Sequence, residues 1–427
     1  MKIKILILAG GKSERIWPLS NKALFPFFEK SLLQHQIERI KEAGFKNMTV
    51  VCNKDNAPVV KKLGVKNVLQ EGSGQAAAIL SARKFVKGPI LIINVSDIFN
   101  TDLLKKVILV GQEKDVGICL VGFKTPFYFP GGYLVVNGKK EVKEVIEKPG
   151  EGNEPSDLVR IVVDFFKKGE ELVKYLKKGI LYEEAIDEMV KNKVLTKAVS
   201  YQDYWGYLKY PWDTLQMTDC FLKELKNKKI GKRVKIAKNS LTSGPVIIEN
   251  DVKIFENAKI VGPAYIGKGT IIGNNSVVRE SMIGANCVIG FSTEITRSYV
   301  GNGCWFHSNY IGDSVLDENV SLGAGAILAN LRLDEGDIYS VVRGEKINTK
   351  KQKLGAMIGK NVRIGVNTSI MPGVKIGKNS FVGAGVVLDK DLGENIFCCL
   401  KKQDLIIKEN IKKTKKAKRK EFRKKLV

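Results

Sequence analysis

The chain has 427 residues, 44% hydrophobic and 27% charged, with a formal net charge of +26 and only two histidines. That length suits two or three domains with packed cores and excludes a wholly disordered chain. No apolar run reaches the roughly 18–20 residues of a membrane-spanning helix. The excess charge favours polyanionic ligands such as nucleotides, pyrophosphate or coenzyme A. Lys408 to Lys425 alone holds eleven Lys and Arg against Glu409 and Glu421, and reads as a solvated basic tail rather than a specific nucleic-acid site. Seven scattered cysteines with no CxxC pair suit a reduced cytoplasm. Met1–Ala9 runs into Gly10-Gly11-Lys12 instead of a small-residue cleavage site, so it reads as a strand and not as a leader.

From Lys2 to about Leu225 apolar runs alternate with helical periodicity. Ile3–Ala9, Met48–Cys52 and Ile90–Val95 read as strands. Leu32–Ala43 reads as a helix closed by Gly44, and Ala76–Phe85, Glu170–Lys177 and Glu183–Lys191 as further helices. Alternating strands and helices predict a Rossmann-like α/β domain on a mostly parallel sheet, spanning residues 1–225.

From residue 226 to 402 the period changes. Ile248, Ile254, Ile260, Ile266, Ile272 and Val278 are six apart, and Ile283, Ile289, Ile295, Val300, Phe306 and Ile311 continue in steps of five or six. After a polar interruption, Ile358, Ile364, Ile370, Ile376 and Val382 resume the step of six. Six residues turn an α-helix by about 600°, so no helix keeps these positions on one face. A three-sided coil does: each hexad is a short strand plus a corner, the branched residue points inward, and Gly or Asn turns the corner. The segment from Arg332 to Gly355 is expected to loop off this prism. Residues 403–427 form the basic tail.

Leu8-Ala9-Gly10-Gly11-Lys12-Ser13-Glu14-Arg15 follows the first strand and precedes Lys22. A glycine pair after a strand lets backbone N–H groups wrap phosphate oxygens, and Arg15 and Lys22 can neutralise charge there. Gln70-Glu71-Gly72-Ser73-Gly74, Asn94-Val95-Ser96-Asp97, Gly131-Gly132-Tyr133, Glu147-Lys148-Pro149 and Trp212-Asp213 then follow in order. In this order the motifs resemble those of the sugar nucleotidyltransferases. The resemblance implies that Gly10, Gly11, Gln70 and Gly74 bind the nucleotide, and that Arg15 and Lys22 act on the phosphates. It further implies that Gly132, Glu147 and Lys148 hold the sugar phosphate while Asp97 and Asp213 hold Mg²⁺. Ser13 and Ser96 stand where that family usually has Gly, Asn21 replaces a Pro, and Leu158–Val162 replaces an Asn-Ala-Gly segment.

The hexads resemble the left-handed β-helix of the hexapeptide-repeat acyltransferases, which implies the hand and a homotrimer. Phe306-His307-Ser308-Asn309-Tyr310 breaks the repeat with the one histidine of this half, and Gly323-Ala324-Gly325 and Asn330 follow. This is similar to the acetyltransferase half of the bifunctional N-acetylglucosamine-1-phosphate uridylyltransferases. The similarity implies His307 as general base, Arg279, Tyr310 and Asn330 at the sugar, and Ala384 and Lys401 at acetyl-CoA. Thr296-Arg297 stands where a Lys-Asn pair is usual, and Ala326 replaces a common Thr.

The chain is therefore expected to be bifunctional, taking an amino-sugar-1-phosphate, acetyl-CoA and a nucleoside triphosphate (UTP or dTTP). Two alternatives stay open. One is a nucleotidyltransferase whose β-helix only oligomerises, which His307 opposes. The other is a non-catalytic assembly protein on the same folds, which Arg15, Lys22, Asp97 and Asp213 together oppose.

Overall fold

The structure, a computed structural model, describes residues 3–401 and residue 409; the basic tail expected at 403–427 lies outside the described residues, apart from Glu409. Lys4–Ala9 is the central strand of the first sheet, flanked in parallel by Met48–Cys52 and Ile90–Asn94, with Lys66–Leu69 parallel at the edge. All but one residue of Lys4–Ala9 is buried, as a continuous apolar strand covered by helices on both faces must be. Beyond Ile90–Asn94 the sheet continues with Leu158–Phe166, antiparallel to it, which in turn pairs with Gly132–Val136 and Ile118–Lys124. The strands of the first hundred residues thus form the parallel half, and the later strands add antiparallel neighbours on the other side.

The helices fall where the apolar spacing placed them: Leu32–Glu42, Gly169–Leu176 and Tyr182–Lys191. Gly44 has a φ of 96°, the left-handed conformation that stops the first helix. The helix expected at Ala76–Phe85 runs instead over Gly74–Ser81. Gly72 and Gly74 take positive φ around Ser73, so the chain enters the helix two residues early.

From Lys229 the chain winds into a three-faced prism of stacked parallel strands, two faces of eight strands and one of nine. Every residue of the apolar series from Ile248 to Ile311 and from Ile358 to Val382 lies in one buried core. Leu316, Leu322 and Leu328 fill the same inward positions, one on each face, so the prism continues one full coil past Ile311 before the excursion begins. Asn257, Asn275, Asn361 and Asn379 occupy corners at φ of 58° to 62°. The amides of Asn257, Asn361 and Asn379 join ladders between coils, with Asn361 Nδ2 donating to Asn379 Oδ1 at 2.9 Å and Asn379 Nδ2 to Asn395 Oδ1 at 3.0 Å. Glycine after the inward residue serves close approach: a Cβ on Gly365 would lie 2.5 Å from the Ala384 nitrogen of the next coil.

The excursion is a hairpin, Tyr339–Val342 against Glu345–Asn348, tied at its base where Leu331 bridges to Lys353. Its Ile338 and Val342 enter a fourth apolar core that joins the two halves of the molecule. In that core Tyr299 of the prism packs on Phe25 with ring centroids 4.8 Å apart, and its hydroxyl donates to the Pro26 carbonyl at 2.8 Å. Among the described residues no helix is long and apolar enough to cross a membrane.

Candidate active sites

The first site is a cavity of about 740 Å³ at the carboxyl ends of the parallel strands. Such a position outside the strand ends is where open α/β sheets bind ligands. Gly10, Gly11, Arg15, Lys22, Gln70, Gly74, Asp97, Gly132, Glu147 and Lys148 all line it, so ten of the eleven motif-derived positions converge on one place. Gly10 must be glycine because the Gln70 side chain crosses it: a Cβ there would meet Gln70 Oε1 at 2.0 Å. Gln70 is fixed by donating from Nε2 to the carbonyls of Gly72 and Gly74, both at 3.2 Å.

The departures from the expected motif have local explanations. Ser13 takes a φ of 60°, the conformation for which glycine is suited, and its Oγ accepts the backbone N–H of Lys22 at 3.1 Å. It thereby ties the two ends of the phosphate loop. Asn21 Nδ2 donates to Asn56 Oδ1 at 2.7 Å, and Asn56 Nδ2 donates to the carbonyl of Ala9 at 2.6 Å. Where an Asn-Ala-Gly segment was absent, Arg160 enters the cavity lining, nearly fully buried and paired with Asp164 and Glu183. Its guanidinium also lies over the Tyr182 ring.

The electrostatics are those of a buried anion site. Burial lowers the Lys22 pKa, while Asp97 opposes the shift and Arg15 adds to it. Burial pushes the Asp97 carboxyl up to about 6, although it accepts the Trp205 indole N–H at 3.0 Å. Lys209, which the motifs did not indicate, also lines the cavity. Its ammonium donates to the Pro130 carbonyl and lies over Phe129, and burial pushes its pKa down to about 8. Lysines and arginines outnumber carboxylates seven to four in the lining.

Asp213 is not brought into this lining. It begins the helix Asp213–Lys223, and its Oδ2 accepts the backbone N–H groups of Lys209 at 2.9 Å and Tyr210 at 2.7 Å. These bonds tie its Oδ2 to the turn that precedes the helix. The residue across the ladder from Asp97 is Tyr207. Among the described residues no group of three or more His, Cys, Asp or Glu could hold a metal. Asp97 alone suits an ion of the Mg²⁺ kind, which commonly takes one or two carboxylates and completes its shell with substrate phosphates and water.

The second site lies on the prism. His307 is exposed at a corner whose next residue, Ser308, has a φ of 49°. Asn309 is buried beneath it and accepts the His307 N–H through Oδ1 at 2.6 Å. The strand Tyr310–Gly312 runs from this corner across one face. The Tyr310 hydroxyl lies over Gly312, where a Cβ would be 2.7 Å away, and within 3.4 Å of Asn330 Oδ1. At the far end of the face Asp313 accepts both arms of Arg297 at 2.7 Å and an N–H of Asn330. Arg279 stands two coils below Gly312 and one below Thr296, its Nε donating to Thr296 Oγ1 at 3.2 Å. Arg279, Tyr310 and Asn330 are thus on one face, with His307 on the corner that opens it.

Ala384 and Lys401 are exposed. Phe306 stacks under Leu322, Leu322 under Ile364, and Ile364 under Val382, so His307 and Gly383-Ala384 share one corner edge. Three ladder steps separate them, about 14 Å. The other histidine, His35, has no place in either site: its Nε2–H donates to the Phe27 carbonyl at 2.7 Å and its ring packs on Phe221.

An α/β domain with a cationic cavity at its strand ends, followed by a hexapeptide prism carrying an exposed histidine, defines a two-site transferase architecture. The nucleotidyl transferase family model matches residues 4–206, and the bacterial transferase hexapeptide model matches residues 245–280 and 355–390. The bifunctional sugar-1-phosphate nucleotidylyltransferase/acetyltransferase of Sulfurisphaera tokodaii is 32% identical over 92% of this chain and 99% of its own length. Bifunctional GlmU proteins of Methanococcus vannielii and Methanocaldococcus jannaschii are each 30% identical over 95% of this chain and 99% of their own. The chain belongs to the family of bifunctional sugar-1-phosphate nucleotidylyltransferase/acetyltransferases, and its prism is the left-handed β-helix of the hexapeptide transferases.

Proposed function

We propose that the prism acetylates an amino-sugar-1-phosphate such as glucosamine-1-phosphate with acetyl-CoA, and that the N-terminal cavity couples the product to UTP or dTTP. The observation that carries this reading is His307, exposed at a pinned corner beside the Arg279, Tyr310 and Asn330 face.

In the acetyl transfer the sugar amine nitrogen attacks the thioester carbonyl, the C–S bond breaks, and coenzyme A leaves as the thiol. His307 takes the amine proton as attack proceeds, which an imidazole can do near neutral pH. Arg279 holds the sugar phosphate, with Tyr310 and Asn330 on the sugar hydroxyls. Acetyl-CoA runs along the shared corner edge past Ala384 toward Lys401, whose ammonium meets its phosphates.

In the cavity a phosphate oxygen of the sugar-1-phosphate attacks the α-phosphorus of the triphosphate, and pyrophosphate leaves. Positioning and charge neutralisation do most of this work. Gly10 and Gly11 offer backbone N–H groups, Gln70 and Gly74 border the base, and Arg15 and Lys22 meet the phosphates. Glu147 and Gly132 face the sugar and Lys148 its phosphate. When bound, a divalent ion supplies further charge neutralisation, and Asp97 is the residue that would hold it.

Self-association fits the prism's surface. Phe381 and Phe397 are neighbours on one face, 49% and 68% exposed, and Trp305, 51% exposed, lies three coils away on the same face; this apolar surface suits burial between copies, and a homotrimer is the proposed assembly. The test is the purified protein with glucosamine-1-phosphate, acetyl-CoA, each nucleoside triphosphate and Mg²⁺, followed for thiol and pyrophosphate. Both products support the reading, pyrophosphate alone leaves the prism structural, and neither points to an assembly protein.

A further inference from the structure

The hairpin that leaves the prism ends in Arg343-Gly344, a two-residue turn with φ of 55° and 86°. Positive φ at both residues is the geometry of the tight turns that suit β-hairpins, so the loop has a defined shape. Its tip does not point into solvent away from the molecule: Arg343 lines the N-terminal cavity, on the side of the Gly11–Arg15 loop. Its Nη1 is 3.7 Å from Glu14 Oε2, with both side chains more than half exposed. An exposed pair at that separation is weak and readily exchanged for a stronger anion.

The hairpin is anchored on several sides. Ile338 and Val342 are buried in the core shared by the two halves. Lys375 of the prism, 1% exposed, donates to Ser340 Oγ and to the Val341 carbonyl, each at 2.7 Å, and pairs with Asp391. The same ammonium lies over the ring of Trp17, just past the phosphate loop. On the opposite strand side, Lys350 pairs with Glu151 at 2.7 Å. A fully buried lysine that spends its donors on the hairpin backbone and side chain fixes the arm rather than leaving it free to swing.

We propose that Arg343 is a triphosphate-binding residue of the nucleotidyl site, supplied by the prism half of the chain. The inference rests on the nucleotidyl reading of the cavity and adds to it a residue from outside the nucleotidyltransferase domain. The β- and γ-phosphates of the incoming nucleotide, and the pyrophosphate that leaves, take the guanidinium from Glu14. The planar fork suits two phosphate oxygens at once, and the Glu14 carboxylate keeps it aimed at the loop in the absence of nucleotide.

The experiment is calorimetric titration of the full-length protein with inorganic pyrophosphate, comparing the unaltered chain with Arg343→Ala and Arg343→Lys, with thermal unfolding as the control for folding. A charge-assisted contact of this kind predicts about a ten- to hundredfold weaker pyrophosphate affinity in Arg343→Ala, with part of the loss restored by Lys. The KM for nucleoside triphosphate should rise in parallel while kcat changes less. Equal affinity in all three proteins overturns the role of Arg343, as does failure of the unaltered chain to bind pyrophosphate. Pyrophosphate binding by the unaltered chain without turnover of any triphosphate refutes instead the catalytic reading of the cavity, while the comparison of affinities still decides Arg343.

Discussion

Asn309 accepts the backbone N–H of His307 through Oδ1 and spends its amide hydrogens on the carbonyls of Gly323 and Ala326 in the next coil. The corner that presents the imidazole is therefore held from beneath by one buried amide, and among the described residues no side chain bonds the imidazole itself. His307→Ala is expected to lower acetyl transfer by about 10²- to 10⁴-fold, the range for loss of a general base. Asn309→Ala leaves the imidazole in place but frees the corner. Its expected loss is smaller, about tenfold in kcat, with the pH profile of the remaining activity unchanged. If Asn309→Ala acetylates at the rate of the unaltered chain, the corner needs no such support.

Asp97 gives a prediction with a sign. Burial raises its carboxyl to about 6 from an ordinary 3.8, so the folded state holds the proton more tightly than the unfolded chain. The stabilisation from that proton is complete below about pH 4 and disappears as pH rises through about 6. Above that, the buried carboxylate costs about 3 kcal/mol, the equivalent of the shift. Asp97→Asn should therefore melt higher than the unaltered chain at pH 8, with the difference vanishing toward pH 4. Nucleotidyl transfer should show the opposite response, falling about 10²- to 10³-fold in this variant. It should also fall in the unaltered enzyme below about pH 6. Asp213→Asn provides the contrast: an amide oxygen can still accept from Lys209 and Tyr210, so activity within about tenfold of normal is expected. A loss as deep as that of Asp97→Asn would make Asp213 part of the metal site after all.

What was legible beforehand follows a physical line. The prism was readable because a three-sided coil forces one branched apolar residue inward every six positions and a Gly or Asn at the corners. Local rules also placed the first parallel strands and the helix ended by Gly44. Leu316, Leu322 and Leu328 escaped notice because the surrounding polar residues hid a period carried by unbranched-Cβ side chains. Arg343, Lys209 and Arg160 could not be seen, since each reaches the cavity through packing between segments distant in sequence.

The asparagine ladder on the prism should be separable into backbone and side-chain parts. Asn361 sits at a φ of 62° and donates to Asn379 while accepting from Asn319 at 2.9 Å. Asn361→Ala loses the ladder bonds and the polar side chain that lets Asn tolerate the left-handed region, while keeping the Cβ that crowds it, for about 1–2 kcal/mol. Asn361→Gly loses the same bonds without that steric cost and should fall between the two in denaturant midpoint. An alanine variant as stable as the glycine variant would mean that the corner conformation contributes nothing.

The core shared by the two halves makes a claim about dissection. Phe25, Phe27 and Phe221 of the N-terminal half and Tyr265, Met282 and Tyr299 of the prism are buried together. Contacts between domains of one chain are usually more polar and permit relative motion. Here, separation at residue 226 uncovers a contiguous apolar surface beside the phosphate loop, of the kind that drives association. The fragment 1–226 is therefore expected to self-associate in light scattering and to melt below the full chain. Within the intact protein, Tyr299→Phe removes only the hydroxyl bond to Pro26, about 1 kcal/mol. Tyr299→Ala empties an aromatic site for about 3–5 kcal/mol and, because Phe25 and Phe27 follow Lys22 closely, should weaken nucleotidyl transfer as well. A monomeric 1–226 fragment with the full chain's melting temperature would show that the two halves fold independently of their contact.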